Sequence, residues 1–318
     1  MNFTILRHNF ERFLREKKYF MIIILVTFSS LFATSYVVTM TASKQHIGVS
    51  QSAKELTRMD NENLSVTEVK KDKEYFKNII LGKYDAYVTK ESGNYKVITT
   101  KKSDFSKALS DFLNEGKIIK SKSSQNKTIF KVILTVVSMT SMILSLILYK
   151  FYFDDRNGVD KRINLSGIST VSYTLQQFLF NFIVLFLINI IGLIILLPLL
   201  NIALSWQLIF TTFLIEIFAS SFGMMLSTFT RKNQGALLIG TMLTVLTMLL
   251  SGALFTAKKG TLQDKIQYVF PQHYIAELGM HLDNINIKLY NTLSVIICYI
   301  ILFMFIAIYC QMKRKELN

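Results

Sequence analysis

Between Ile163 and Ile215 the chain carries no charged residue; the stretch ends at one carboxylate, Glu216, and is then uncharged again to Thr230. A bilayer core takes about 20 apolar residues per helix. The run is therefore too long for one crossing and suits two crossings joined by a tight turn. Directly before it lies a highly charged segment, Asp154 to Arg162. An apolar hairpin fed by a charged elbow points to a machine worked from one side of a membrane.

The rest of the chain agrees. Of its 318 residues, 51% are hydrophobic, and several further uncharged stretches are long enough to span. This predicts a polytopic α-helical membrane protein with six transmembrane helices and a small extracellular α+β domain. A net charge of +15 would suggest nucleic acid in a soluble chain. Here the basic residues flank spans, where they set orientation and meet anionic lipid, so no nucleic-acid partner is expected. The two cysteines, Cys298 and Cys310, share the last apolar segment and indicate no disulfide framework. Abundant Lys, Ile and Asn point to an AT-rich bacterial genome. The first apolar segment is too long for a signal-peptide core and reads as a retained anchor.

Residues 1–18 form an amphipathic helix. Phe3, Leu6, Phe10, Phe13 and Leu14 make an apolar stripe expected to lie in lipid, with five basic residues placing the helix in the cytoplasm. The expected spans are 19–42, 128–152, 171–198, 206–229, 234–256 and 289–312. The polar insert 43–127 reads as strands at Leu64–Val69, Tyr84–Thr89 and Tyr95–Thr100, with a turn at Ser92-Gly93-Asn94. Helices are expected over Asp72–Leu81, stopped by Gly82, and after Ser103 or Asp104, with Phe105, Leu109, Phe112 and Leu113 buried. Segment 153–170 is a cytoplasmic elbow, 257–288 a half-apolar outer loop and 313–318 a cytoplasmic tail. Thirteen Lys and Arg fall in the inner segments against four in the short outer ones, which places both termini in the cytoplasm of a bacterial plasma-membrane protein.

No nucleotide-cradling G-x-x-x-x-G-K-[ST] and no H-E-x-x-H occurs, so the chain is not expected to be an enzyme by itself. Three stretches, in this order and topology, resemble the membrane subunits of ABC-2 type transporters. Asp155-Arg156-Asn157-Gly158 through Lys161-Arg162, then Leu165-Ser166-Gly167-Ile168-Ser169 and Tyr173, are similar to the family's coupling helix and its entry to the third span. Gly167 stands where the family usually has Pro, and Gln177 where it often has Lys. Phe222-Gly223 through Thr230-Arg231, with Ser251-Gly252, resemble the family's fourth and fifth spans. Ile266 to Tyr274 resembles its hydrophobic-x-P-x-x-Y stretch before the last span, and Tyr84-Asp85-Ala86-Tyr87-Val88 a strand of its subgroup with a large outer domain.

The resemblance implies an exporter half. Two permeases, as homodimer or heterodimer, would work with separately encoded cytoplasmic ATPase subunits that hold the ATP and Mg; this chain would bind no cofactor. The cargo would be an amphiphilic or hydrophobic molecule such as a peptide, a lipid or a drug, including antimicrobials and toxins, moved outward. Coupling to the ATPase is assigned to Asp154, Asp155, Arg156, Asp160, Lys161, Arg162 and Leu165. The bland reading of that segment is a solvated loop. Glu216, an intramembrane carboxylate, is assigned with Asn181 and Asn189 to the substrate path; for all three, and for Gln176 and Gln177, interhelical hydrogen bonding is the rival reading. Phe270, Pro271, His273 and Tyr274 are assigned to an extracellular gate. His273, Glu277 and His281 would share one helical face, but Gly279 interrupts the stretch and no metal site is expected. Two other functions remain open: a proton-coupled secondary transporter using Glu216, and a non-transporting sensor whose outer domain binds a ligand.

Overall fold

The computed structural model describes residues 3–41, 45–59, 64–69, 75–80, 83–91, 94–100, 103–115, 122–158, 167–200, 202–255, 257, 260–281 and 287–316. In chain order the elements are α1 (Thr4–Arg15), α2 (Lys17–Thr41), β1 (Gln45–Val49), β2 (Leu64–Glu68), α3 (Tyr75–Ile80), β3 (Ala86–Glu91), β4 (Asn94–Ile98), α4 (Ser103–Glu115) and α5 (Lys122–Leu148). They continue with α6 (Lys150–Gly158), α7 (Thr170–Leu199), α8 (Trp206–Phe229), α9 (Asn233–Leu250), α10 (Leu262–Ile266), α11 (Pro271–His281) and α12 (Ile287–Glu316). A 3-10 segment, Gln51–Met59, follows β1. Two compact units result: Val38–Asn126, and the remainder of the chain.

The smaller unit is a four-stranded sheet in the order β2-β1-β3-β4, parallel except for the β3–β4 hairpin. Alternation puts Ile47, Val49, Val66, Ala86 and Val88 into one core with Leu109 of α4. Tyr87 faces the other side, where it stacks on Tyr75 of α3 at 4.5 Å. Three of the four strands match the sequence reading. The fourth, β1, falls in a part of the polar insert where the sequence predicts no strand, yet it pairs with both β2 and β3. The expected turn at Ser92-Gly93 and the stop at Gly82 lie outside the described residues.

Six helices of the larger unit are long and apolar enough to cross a membrane: 17–36, 129–156, 170–199, 206–229, 233–250 and 289–314. They are unequal. The 129–156 and 206–229 helices are mostly covered by their neighbours, whereas 17–36, 233–250 and 289–314 turn most of their surface outward. α8 is the central element and packs on α7, α9 and α12, while α11 lies against α9 and α12.

Two boundaries depart from the sequence reading. α9 stops at Leu250, not near 256, because Gly252 takes a left-handed φ of 69° that ends the helix. The second span also does not end before the charges: α6 continues it almost without interruption, bridged by the Tyr149 N–H on Ser145 and the Phe153 N–H on Tyr149. Asp154, Asp155 and Arg156 therefore lie on the end of a span-length helix, not on a separate elbow. At the far side of the connection Gly167 has φ 77°, which proline's ring forbids. Ser169 then caps α7 by accepting from the Ser172 N–H at 3.2 Å.

Candidate functional site

Of the described charges expected to face a soluble partner, Asp155 turns inward, whereas the Asp154 side chain stays 39% exposed and Arg156 half-buried. Asp155 is 4% exposed. Its Oδ1 accepts from Arg12 of α1 at 2.5 Å, and its Oδ2 accepts from Tyr173 at 3.1 Å and Gln177 at 2.9 Å, both on α7. Asp154 stands at 3.5 Å from Arg12 and 3.3 Å from Lys150, and Lys150 also reaches Glu16 at 2.6 Å. Arg156 donates to the Thr230 carbonyl at 2.7 Å, beyond the last turn of α8. Asp160, Lys161, Arg162 and Leu165 lie outside the described residues.

The first helix explains this arrangement. Its buried face is Ile5, Asn9 and Phe13, at a spacing of four, and not the full Phe3–Leu14 stripe. Leu6 and Phe10 are partly buried against the core, while Phe3 and Leu14 remain exposed. The lipid-lying helix of the sequence reading is thus also a docked one. Asn9 donates to Gln177 at 2.8 Å, and Gln176 accepts from the Ile5 and Leu6 N–H groups at 3.1 and 3.2 Å, satisfying donors that a helix start leaves open. Phe13 and Phe10 meet Phe180 edge-on at 6.0 and 5.1 Å, and the Arg12 guanidinium lies 5.0 Å over Phe151. Arg12 and Asn9, absent from the expected site, are the hub. The available signal was a polar Asn9 midway between Ile5 and Phe13.

Both ends of segment 159–166 are consequently held together. α6 enters it and α7 leaves it, and Asp155 bonds to α7 on one side and α1 on the other. Asp155 thus joins α1, α6 and α7 on either side of that segment.

The second polar cluster lies deep among the spans. Asn189 donates to Ser141 Oγ at 3.1 Å, and Ser141 donates to Glu216 Oε1 at 2.8 Å. This chain of bonds ties α7 to α5 and α5 to α8. Asn181 reinforces it by donating to the Ser145 carbonyl at 2.9 Å. All three expected path residues are at most 1% exposed, so none lines an opening in this structure. They act here as interhelical ties, and Glu216 Oε2 has no hydrogen-bond partner among the described residues. An ionised carboxylate enclosed in this way is costly.

The expected gate residues do come together. Phe270 ends a 3-10 turn and Pro271 opens α11, where its missing N–H costs nothing. The His273 ring nitrogen Nδ1 is 3.1 Å from the Ser251 carbonyl, and its ring meets Tyr268 and Tyr274 edge-on. Tyr274 donates to the Tyr268 carbonyl at 2.9 Å, and burial pushes its phenol above the usual range, so it stays a donor at neutral pH. Gln272 crosses to Thr247 of α9 at 2.9 Å. Gly279 does not interrupt α11; the helix runs through it, and a Cβ there would sit 2.8 Å from Lys131 Cα, so glycine allows close contact with α5. His273 and Glu277 are 3.8 Å apart, and no group of three metal-ligating residues assembles among the described residues.

A bundle of six span-length helices, with polar groups used between helices, defines a polytopic α-helical membrane protein. Residues 105–283 match the family model for the ABC-2 type transporter, more than half of the chain. The protein belongs to that family, and is a transporter permease subunit that works with an ATPase subunit. A comparison with curated proteins returns no match.

Proposed function

We propose that the chain is the membrane half of an ATP-driven exporter of amphiphilic or hydrophobic molecules, such as peptides, lipids or drugs, across a bacterial plasma membrane. Its termini and the α1–α6 junction face the cytoplasm, its sheet domain faces outward, and it pairs with a second permease copy or paralogue. ATP and Mg are held by the partner ATPase. The observation that carries the reading is the burial of Asn181, Asn189 and Glu216 in interhelical bonds. With these three side chains enclosed between helices of one chain, the route for cargo runs along the apolar outward faces of the spans and between copies. Leu187, Ile191, Ile194 and Ile195 of α7 offer such a face. A surface of this kind suits a cargo that is itself largely apolar.

Coupling in this reading passes through segment 159–166, clamped at both ends by Asp155. Arg162→Glu should lower cargo-stimulated ATP hydrolysis in the reconstituted complex without removing the protein from the membrane. The decisive experiment co-purifies the chain with its ATPase, reconstitutes both in vesicles, and follows ATP-dependent accumulation of a fluorescent amphiphile. Transport that follows a proton gradient without ATP would favour a secondary transporter, and ligand binding to the sheet domain without transport would favour a sensor.

A further inference from the structure

A cleft of about 490 Å³ opens between α6, α8 and α12, lined by Arg156, Thr228, Phe229, Arg231, Cys310, Lys313 and Arg314. Four of these seven residues are cations, and none is acidic. Three span-length helices end at this cleft, at Arg156, Phe229 and Arg314. The cleft therefore lies where hydrocarbon gives way to headgroups.

The four cations divide by role. Arg156 donates to the Thr230 carbonyl and Arg314 to the Thr228 carbonyl, so both neutralise the carbonyl end of α8. Arg231 and Lys313 are exposed and make no ion pair among the described residues. Phe229, 60% exposed, adds an apolar side to the cleft. A site that is basic on one side and apolar on the other, at the depth where spans end, matches a phospholipid with a net negative headgroup. Basic pockets between transmembrane helices bind anionic headgroups by this combination. An acidic protein surface would use the charges but leave Phe229 facing lipid.

We propose that this cleft binds the phosphate headgroup of an anionic membrane lipid, with Arg231 and Lys313 contacting the phosphate and Phe229 lying along the first acyl carbons. Arg156 and Arg314 hold the cleft's shape and contribute field. The lipid would then bridge the ends of α8 and α12.

The test uses the full chain in detergent, with thermal unfolding and native mass spectrometry read against added phosphatidylglycerol, phosphatidylcholine or inorganic phosphate. Phosphatidylglycerol should raise the unfolding temperature and remain bound in the mass spectrum, while phosphatidylcholine should do neither. The double variant Arg231→Gln/Lys313→Gln should weaken phosphatidylglycerol binding about 30-fold, the effect of losing two interfacial cations. Arg231→Lys/Lys313→Arg should retain it, which separates loss of charge from misfolding. Lys83→Gln/Lys96→Gln, in the sheet domain, should leave it unchanged. Equal stabilisation by phosphatidylcholine, equal stabilisation by inorganic phosphate, or undiminished binding in the Gln double variant would each overturn the proposal.

Discussion

Replacing Arg12 by Ala tests whether α1 is held by the buried ion pair. Asp155 would keep its bonds from Tyr173 and Gln177 but lose the one cation paired with it among the described residues, with its side chain 6% exposed. Two unit charges about 4 Å apart interact by about 4 kcal/mol at an effective dielectric of 20. Breaking a buried pair from one side costs about 3–5 kcal/mol. Because the Arg12 side chain is 21% exposed, the lower figure applies, about 3 kcal/mol. Asp155→Asn keeps a carbonyl acceptor and leaves a guanidinium that reaches Asp154 and solvent, so its cost is about 1–2 kcal/mol. With Arg12 already replaced, Asp155→Asn removes an uncompensated charge instead of a paired one. The double variant should therefore fall short of the sum by about 1–2 kcal/mol. The assay is a double-mutant cycle of unfolding in mixed micelles followed by helical circular dichroism. The Arg7–Glu11 pair, 84% and 47% exposed, supplies the control, whose loss should cost about 0.3–0.5 kcal/mol. Additivity within about 0.5 kcal/mol, or an Arg12→Ala cost equal to the Arg7 control, would refute the reasoning.

Gly223→Ala would place a methyl over Ser145 Oγ and 2.9 Å from Tyr149 Cε2, forcing α8 away from α5; a loss of about 2–3 kcal/mol is expected in the same unfolding assay. Gly240→Ala meets Leu146 Cδ2 at 2.9 Å and Cγ at 3.1 Å, and because Leu146 is fully buried a loss of about 2–3 kcal/mol is expected there as well; a loss under about 0.5 kcal/mol would show that the α5–α9 contact yields freely. Glu216→Gln keeps a carbonyl to accept from Ser141, so stability within about 1 kcal/mol and intact vesicle transport are expected. Transport abolished by that change with folding preserved would give the carboxylate a chemical role beyond its tie.

The spans and the sheet domain were legible because each rests on a local regularity. Charge-free length marks a helix that can cross lipid, and the alternation in Leu64–Val69 or Tyr84–Thr89 marks a half-buried strand. β1 escaped because only Ile47 and Val49 carry its pattern, five residues being too few to separate it from the polar insert. The clamp escaped for a different reason. A run such as Asp154-Asp155-Arg156 reads as solvated charge, since burying a charge is unfavourable unless a partner is supplied, and Asp155's partner lies more than 140 residues away on α1. One local sign existed: Asp155 falls one turn after the buried Phe151 and Tyr152, on the same side of α6. The rival reading of Asn181, Asn189 and Glu216 as interhelical ties describes their geometry here. Residue type could not choose between the two readings, because a tie and a path use the same groups.

The docking of α1 also has a consequence for how the protein is made. Its Ile5 and Leu6 N–H groups and Asn9 find their partners at Gln176 and Gln177, some 170 positions later in the chain. Arg12 finds Asp155 on the 129–156 helix, but Asn9 and the Ile5 and Leu6 N–H groups find theirs only on the third span, which lies beyond the sheet domain and the second span in the chain. Completion of the third span then closes the clamp. α1 therefore reaches its full set of partners only when α7 is in place, and without α7 the Ile5 and Leu6 N–H groups and Asn9 lack the bonds they make here, while Arg12 and Asp155 still have each other.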